Sequence, residues 1–184
     1  MLAPITALVG LTCSGLVSGL TLAYPLLINT HFIDQQGAKI TPPVLHANLD
    51  IAQRLTLWER AFKAGFVVPA LSIITAVTLT TFALSHKSNE KSNLAKRFGG
   101  DWELRKKLLL GSAALTGSLV FFTLIAIRPT NSKLMELRVA ANNKQQINTA
   151  LAESLLKKWT RLHNVRVVTA FGGFVLALYS FIAV

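Results

Sequence analysis

The chain has 184 residues, of which 52% are hydrophobic and 15% are charged. With a mean hydropathy of +0.48, it is too apolar for an ordinary soluble domain and typical of a polytopic membrane protein. The net charge of +11 comes from Lys and Arg between the apolar runs, without aromatic stacking motifs, so we expect a lipid bilayer and no nucleic acid as partner. Cys13 has no second cysteine to pair with, which excludes an intramolecular disulfide and dithiol redox chemistry.

The first apolar run begins the chain. Residues 1–33 contain no Asp, Glu, Lys or Arg. This run is too long for a signal-peptide core and lacks its basic start, so we predict a retained transmembrane helix at about 4–29. Gly15 and Gly19 predict close approach of another helix. Pro25 is expected to kink or end the helix.

A polar connection follows at residues 30–60. Asn48 or Asp50 is expected to cap a helix that begins there. His31 and His46 lie in the same segment, but their spacing matches no recognised metal-binding motif. The histidine pair alone therefore does not predict a metal site.

The second and third spans are predicted at 61–84 and 108–127, where the chain is apolar over enough residues to cross about 30 Å of hydrocarbon. Trp58 opens the second span, and Phe62 follows on its face. Between the two spans, residues 85–107 are rich in Lys, Arg, Ser and Asn, which indicates a solvated loop.

The last third of the chain predicts two more helical segments. Residues 132–157 carry intermittent apolar positions at helical spacing, which indicates a helix outside the membrane or at its surface. A fourth span is predicted at 163–184. The expected fold class is all-α, an integral membrane four-helix bundle formed by residues 1–184 as a single transmembrane domain, with an extramembrane helical segment between spans three and four.

A stripe of chemically distinctive residues precedes the fourth span. At about 100° per residue, Trp159, His163 and Arg166 fall on one helix face, and the small residues Ala170 and Gly173 continue it. A flat aromatic, a titratable ring and a fixed cation above a gap in the side-chain wall suit a planar, acidic, apolar ligand. The alternative is that Trp and Arg anchor the helix at the membrane interface.

Other residues add to this site or exclude alternatives to it. Arg128 and Asn131 lie at the end of the third span, on the side where the stripe enters the fourth. If these spans are neighbours, the two residues and the stripe surround the entrance of one pocket.

The sequence lacks several motifs of other enzyme classes. The absence of a Glu-x-x-His pair argues against a di-iron bundle, and there is no phosphate loop, dinucleotide fingerprint or Gly-x-Ser-x-Gly. A haem between two of His31, His46 and His163 stays open as an alternative.

Four groups of residues match the pattern of a known family. They are Gly19-Leu-Thr21 with Pro25, Trp58 with Gly65 and Pro69, Pro129-Thr-Asn131 with Leu134, and Trp159-x-x-Leu-His163-x-x-Arg166. In these groups, and over nearly its whole length, the chain resembles the small four-span membrane family that includes the anthrone oxygenases of polyketide pathways.

The resemblance implies a monooxygenase that uses dioxygen without metal or flavin and converts a tricyclic phenolic anthrone to an anthraquinone. On this chain, His163 would be the base, Arg166 would stabilise the substrate anion, and Asn131 would hydrogen-bond a carbonyl or peroxide oxygen. The candidate substrate-binding residues are Trp58, Phe62 and Trp159. A substrate that forms a resonance-stabilised carbanion can pass an electron to dioxygen itself, so the protein need only deprotonate, orient and shield it.

Two other functions stay open at this stage. One is a non-catalytic membrane subunit or scaffold of a larger complex, and the other is a small transporter or lipid-binding bundle. The predicted spans contain no acidic residue, which argues against a proton-coupled transporter. We expect a small aromatic substrate and a multi-pass location in a membrane, the endoplasmic reticulum if the chain is eukaryotic, while the oligomeric state stays open.

Overall fold

The computed structural model describes residues 2–29, 49–85 and 101–182, with the side chains of residues 2–4 excepted. Within these ranges the chain is helical between short connections and contains no β-strand. The α-helices, in chain order, are α1 (Leu2–Ala23), α2 (Ile51–Ala64), α3 (Val67–Ser85), α4 (Trp102–Phe122), α5 (Arg128–Asn142) and α6 (Thr149–Ile182). The predicted all-α class is confirmed.

Four helical runs in the described ranges are long and apolar enough to cross a membrane. They are Ile5–Ile28, Ile51–Ser85, Trp102–Asn142 and Thr149–Ile182. The chain therefore fits the predicted multi-pass membrane protein.

Two of these runs contain a π-helical turn, and both turns lie beside a proline. The first turn, Tyr24–Ile28, extends α1 and contains Pro25. The second, Thr123–Ile127, joins α4 to α5 just before Pro129. Proline has no backbone N–H and cannot close a regular α-helical turn, so the predicted end of the first α-helix at Pro25 agrees with the structure.

The chain forms two compact units. Unit 1 comprises Met1–Gly19, Val68–Phe121 and Arg166–Val184. Its buried side chains come from α1, α3, α4 and α6 and are mainly small or aliphatic: Val17, Val68, Leu79, Phe82, Ala83, Leu109, Ala113, Leu119, Ala170 and Ala177. Many large apolar side chains of this unit are exposed, including Leu8, Val77 and Val168, as expected of a surface that contacts lipid.

Unit 2 comprises Leu20–Val67 and Phe122–Val165. Its core is more aromatic than that of unit 1, and each of the four helical runs contributes residues to it. They are Tyr24, Leu55, Trp58, Ala61, Ile127, Leu134, Leu155, Leu156 and Trp159. Three of the predicted ligand-facing residues, Trp58, Phe62 and Trp159, belong to this core or pack against it. Unit 2 therefore contains the predicted substrate-binding residues.

Local hydrogen bonds explain where several helices begin and end. Asp50 caps α2 as predicted, because its side chain accepts from the Gln53 N–H at 2.8 Å and the Gln53 side chain accepts from the Asp50 N–H at 3.0 Å. Asp101 accepts from the Glu103 N–H at 2.9 Å, so α4 begins at Trp102 and includes the end of the predicted loop 85–107.

The prediction of one continuous helix over residues 132–157 is wrong. Helix α5 ends at Asn142, and residues 143–148 are not helical. Lys144 adopts a positive φ of 57°, which a continuing helix does not allow. Asn148 then accepts from the Leu151 N–H at 3.0 Å and caps the start of α6.

Candidate active site

The predicted stripe on α6 is buried. The exposed fraction is 2% for Trp159, 1% for His163 and 9% for Arg166. Side chains that anchored the helix in lipid headgroups would extend outward, whereas these three point into the protein. Their common face is therefore an internal face of α6.

The His163 ring packs against two aromatic rings. Trp159, one helical turn earlier, stacks on it with ring centroids 5.0 Å apart and an interplanar angle of 16°. Tyr24, from the π-helical turn after α1, lies 4.5 Å from His163 and 6.0 Å from Trp159 between ring centroids. The three centroids form a compact triangle, so the imidazole has little freedom to rotate.

Trp58 and Phe62 extend this group of rings along α2. They stack on each other with centroids 5.3 Å apart and an angle of 4°. The Trp58 ring also meets Trp159 edge to face at 6.4 Å and 89°, a favourable arrangement for aromatic quadrupoles. We call Tyr24, Trp58, Phe62, Trp159 and His163 the aromatic cluster.

A hydrogen bond to the main chain determines which imidazole nitrogen carries a proton. His163 Nε2 lies 3.0 Å from the carbonyl oxygen of Thr21, and the bond is buried. Because a carbonyl oxygen can only accept, Nε2 must be the donor. In the neutral ring the proton-accepting nitrogen is then Nδ1.

Asn131 lies on a buried face of α5. Its exposed fraction is 9%, and its neighbours on that face, Ile127 and Leu134, belong to the core that contains Trp58 and Trp159. Asn131 Oδ1 is buried without a hydrogen-bond partner among the described residues. A buried amide oxygen of this kind is suited to accept a hydrogen bond from a polar ligand.

Other buried polar atoms of unit 2 are also unsatisfied within the described ranges. They are Asn29 Oδ1 and Nδ2, Trp58 Nε1 and Thr130 Oγ1. Buried polar groups are nearly always hydrogen-bonded in folded proteins. Unsatisfied donors and acceptors in the unit that contains the aromatic cluster suit a flat ligand with phenol and carbonyl groups.

Arg166 continues the same helix face. It follows His163 by three positions in α6, so helix geometry directs the two side chains to adjacent sectors of the helix surface. A guanidinium stays charged at every physiological pH. In an apolar setting this cation favours a neighbouring anion.

Ion pairs connect α2 to α5 and to α6 within unit 2. Glu59 on α2 accepts from Arg138 Nε on α5 at 3.0 Å and from Lys63 Nζ at 2.7 Å. Arg54 Nη2 lies 3.3 Å from Glu153 Oε1, which joins α2 to α6. These pairs stabilise the helices that supply Trp58, Asn131 and Trp159.

Tyr24 belongs to the candidate site by its contact with His163, and sequence reasoning missed it. Its hydroxyl donates to the carbonyl of Ala61 at 2.6 Å, and it is buried. A Cβ at Gly65 would lie 2.5 Å from that hydroxyl oxygen. The absence of a side chain at Gly65 therefore makes room for the Tyr24 side chain. Sequence periodicity cannot reveal this contact, because the two residues lie on different helical segments.

Comparison with known proteins places the chain in a family. A family model described as anthrone oxygenase matches residues 58–176, which is well over half of the chain. The chain belongs to the anthrone oxygenase family. No curated protein and no solved structure gave a match.

Membership of the anthrone oxygenase family suggests an oxygenase-like function. The matched range begins at Trp58 and includes Phe62, Asn131, Trp159, His163 and Arg166. Thr21 and Tyr24, which contact His163, precede it. The segment before the family match thus contributes two of the contacts that orient the histidine.

The predicted gap above the stripe is wrong. Ala170 is 1% exposed and packs with Val17 and Leu119. A Cβ at Gly173 would lie 2.6 Å from Thr116 Oγ1. Small residues on this face therefore allow α4 and α6 to approach closely and do not line an opening.

The histidine alternatives for a metal or haem are only partly within the described residues. His31 and His46 lie outside them, and His163 is engaged with the Thr21 carbonyl through Nε2. Among the described residues there is no group of three His, Cys, Asp or Glu side chains that could hold a metal ion.

Proposed function

We propose that the protein is a membrane-bound monooxygenase that oxidises a polycyclic phenolic anthrone to an anthraquinone, with dioxygen as co-substrate and without metal or flavin. The observation that carries the proposal is the buried imidazole of His163, packed against Tyr24 and Trp159 and bonded through Nε2 to the Thr21 carbonyl. Family membership supports an oxygenase-like reaction.

His163 acts as the base. Its Nδ1 accepts a proton from the methylene carbon of the anthrone, whose adjacent rings and carbonyl delocalise the negative charge. The hydrogen bond from Nε2 to Thr21 remains in place when the ring is protonated, because Nε2 donates in both states. A positioned base of this kind contributes about 10²–10⁴ in rate.

The oxygen chemistry takes place on the substrate. The enolate gives one electron to dioxygen, and the resulting substrate radical and superoxide combine to form a carbon–oxygen bond. The imidazolium returns its proton to the outer oxygen of this peroxide. Loss of the second methylene proton to His163 then breaks the oxygen–oxygen bond and releases hydroxide, which takes the proton and leaves as water. One atom of dioxygen becomes the new carbonyl oxygen.

Arg166 and Asn131 stabilise the charges that develop. The Arg166 guanidinium follows His163 on the inner face of α6 and compensates the enolate oxygen, an interaction strengthened by burial. Asn131 hydrogen-bonds a carbonyl or peroxide oxygen through its amide N–H₂, while its Oδ1 accepts from a substrate phenol. Both interactions gain strength as negative charge forms.

The aromatic cluster binds the ring system. Trp58, Phe62 and Trp159 offer flat faces in an apolar core. A bound tricyclic substrate replaces part of their contacts with one another by equivalent stacking contacts. Exclusion of water also protects the enolate from reprotonation by solvent.

Oxygen uptake by the purified protein with dithranol, a dihydroxyanthrone, tests the proposal. The wild type is expected to consume one dioxygen per anthraquinone formed. His163→Ala is expected to lower the rate at least about 100-fold, and Arg166→Ala to lower it substantially. Asn164→Ala and Lys157→Ala are matched controls, because both side chains are exposed on α6, and they should keep the wild-type rate.

Each negative outcome has a separate meaning. Full activity of His163→Ala and Arg166→Ala would show that the site residues are wrong. A folded wild type that does not accelerate oxygen uptake would favour the non-catalytic subunit or scaffold. Stoichiometric iron or copper in the active protein would contradict the proposal of a reaction without metal.

A further inference from the structure

Pro25 stands one helical turn after the carbonyl that His163 binds. In a regular α-helix the carbonyl of Thr21 would accept from the N–H of residue 25. Proline has no N–H, and the chain instead enters the π-helical turn Tyr24–Ile28 at this point. The ordinary intrahelical donor to the Thr21 carbonyl is therefore missing from the sequence itself.

His163 supplies a donor to this carbonyl. Its Nε2 lies 3.0 Å from Thr21 O, and the two residues are 142 positions apart in the chain. The bond is buried, with His163 at 1% and Thr21 at 0% exposure. The tautomer with a proton on Nε2 is stabilised here, because this N–H donates to the carbonyl oxygen. The tautomer with the proton on Nδ1 would direct the Nε2 lone pair at the same oxygen, which is unfavourable.

We propose that Pro25 is a positioning residue, which withholds the N–H that would compete for the Thr21 carbonyl and so fixes neutral His163 as the Nε2–H tautomer. The base is then always Nδ1. The catalytic meaning of Nδ1 rests on the proposed function, whereas the tautomer itself is argued from the contact between His163 and Thr21.

Restoring the N–H should weaken this preference. In Pro25→Ala the new amide can bond to Thr21 O, and the imidazole must share the carbonyl or give it up. A loss of about 1.4 kcal/mol in the preference corresponds to a tenfold change in the tautomer ratio. We therefore expect a mixture of tautomers in the variant and a single tautomer in the wild type.

The direct test is nitrogen NMR on protein with isotope-labelled histidine, with the His163 signals assigned by their loss in His163→Gln. The expected result is an Nε2–H tautomer in the wild type and a clear rise of the Nδ1–H form in Pro25→Ala. Pro69→Ala is the matched control. Pro69 lies in the first turn of α3 (Val67–Ser85), where an N–H has no regular intrahelical acceptor, and this variant should keep the wild-type signals.

Two results would overturn the proposal: an Nδ1–H tautomer in the wild type, or an unchanged tautomer in folded Pro25→Ala. The first measurement needs no substitution at Pro25, so the proposal stays testable if Pro25→Ala does not fold. Activity is a separate measurement, in which kcat on dithranol should fall in Pro25→Ala in proportion to the fraction of the Nε2–H tautomer that is lost, with little change in KM. If the wild type does not oxidise the anthrone while the NMR result holds, the proposed function fails and the role of Pro25 in the tautomer stands.

Discussion

Substitution of Gly65 by alanine should destabilise the protein through one contact. The backbone of Gly65 has φ −74° and ψ −4°, which alanine adopts without strain. The new Cβ, however, would lie 2.5 Å from the Tyr24 hydroxyl oxygen, where ordinary contacts begin near 3.4 Å. The hydroxyl must therefore move by about 0.9 Å or the helix segment must shift.

The expected magnitude follows from the bond that is lost. The Tyr24 hydroxyl donates to Ala61 O at 2.6 Å in a buried site, and an unsatisfied buried hydroxyl costs about 1–3 kcal/mol. The change from glycine to alanine offsets about 0.4–1 kcal/mol of this cost, because alanine lowers the conformational entropy of the unfolded chain. Gly65→Ala should lower the free energy of unfolding by about 1–2 kcal/mol.

A double-mutant cycle isolates the contact. Tyr24→Phe removes the hydroxyl, while Ala61 O keeps the Gly65 N–H as a donor at 3.0 Å. In that background Gly65→Ala should be close to neutral, so the two substitutions should couple by about 1–2 kcal/mol. The assay is reversible unfolding in mixed detergent and SDS, followed by tryptophan fluorescence.

Gly19→Ala is the control for the change of residue type. A Cβ at Gly19 meets nothing within 4 Å, so this variant should be neutral or slightly stabilised. Additive effects of Gly65→Ala and Tyr24→Phe, or equal effects at Gly65 and Gly19, would refute the reasoning that Gly65 makes room for Tyr24.

Three further substitutions test contacts elsewhere in the fold by the same unfolding assay. Asp50→Ala removes the cap of α2 and should cost about 1 kcal/mol, and Asp50→Ser should recover most of that loss. Glu59→Gln weakens the partly buried pair with Arg138 and should cost about 1 kcal/mol at low salt, with a smaller difference from wild type at high salt. Gly173→Ala places a Cβ 2.6 Å from Thr116 Oγ1 and should cost about 1–3 kcal/mol, and a neutral result would show that the two helices can separate without penalty.

Helical periodicity predicts the shared face of the three candidate residues that lie on a single helix. Trp159, His163 and Arg166 were placed on one face by their spacing, and all three side chains are buried. The spacing cannot distinguish a cavity from a close helix–helix contact, because a small residue such as Gly173 is compatible with either. At Gly173 the structure has a contact with α4, which excludes the predicted gap.

The contacts that orient His163 come from a distant part of the chain and were not predicted. Tyr24 and Thr21 reach the imidazole from the end of α1, and no local pattern links segments so far apart. The sequence did contain one indication of the contact with Thr21: Thr21 precedes Pro25 by four positions, so its carbonyl lacks the usual helical donor.

The break in the helix after Asn142 was not predicted, because the polar residues there are compatible with both an exposed helix and a connection.

In the proposed reaction, the buried His163 enables this membrane protein to insert one atom of dioxygen into an anthrone. Heavy-isotope dioxygen supplied to the purified wild type with dithranol, followed by mass spectrometry of the quinone, tests it most directly. We predict one labelled oxygen atom per anthraquinone from the wild type and only the uncatalysed background from His163→Gln. Label-free quinone from the wild type, or formation of labelled quinone by His163→Gln at the wild-type rate, would contradict this prediction.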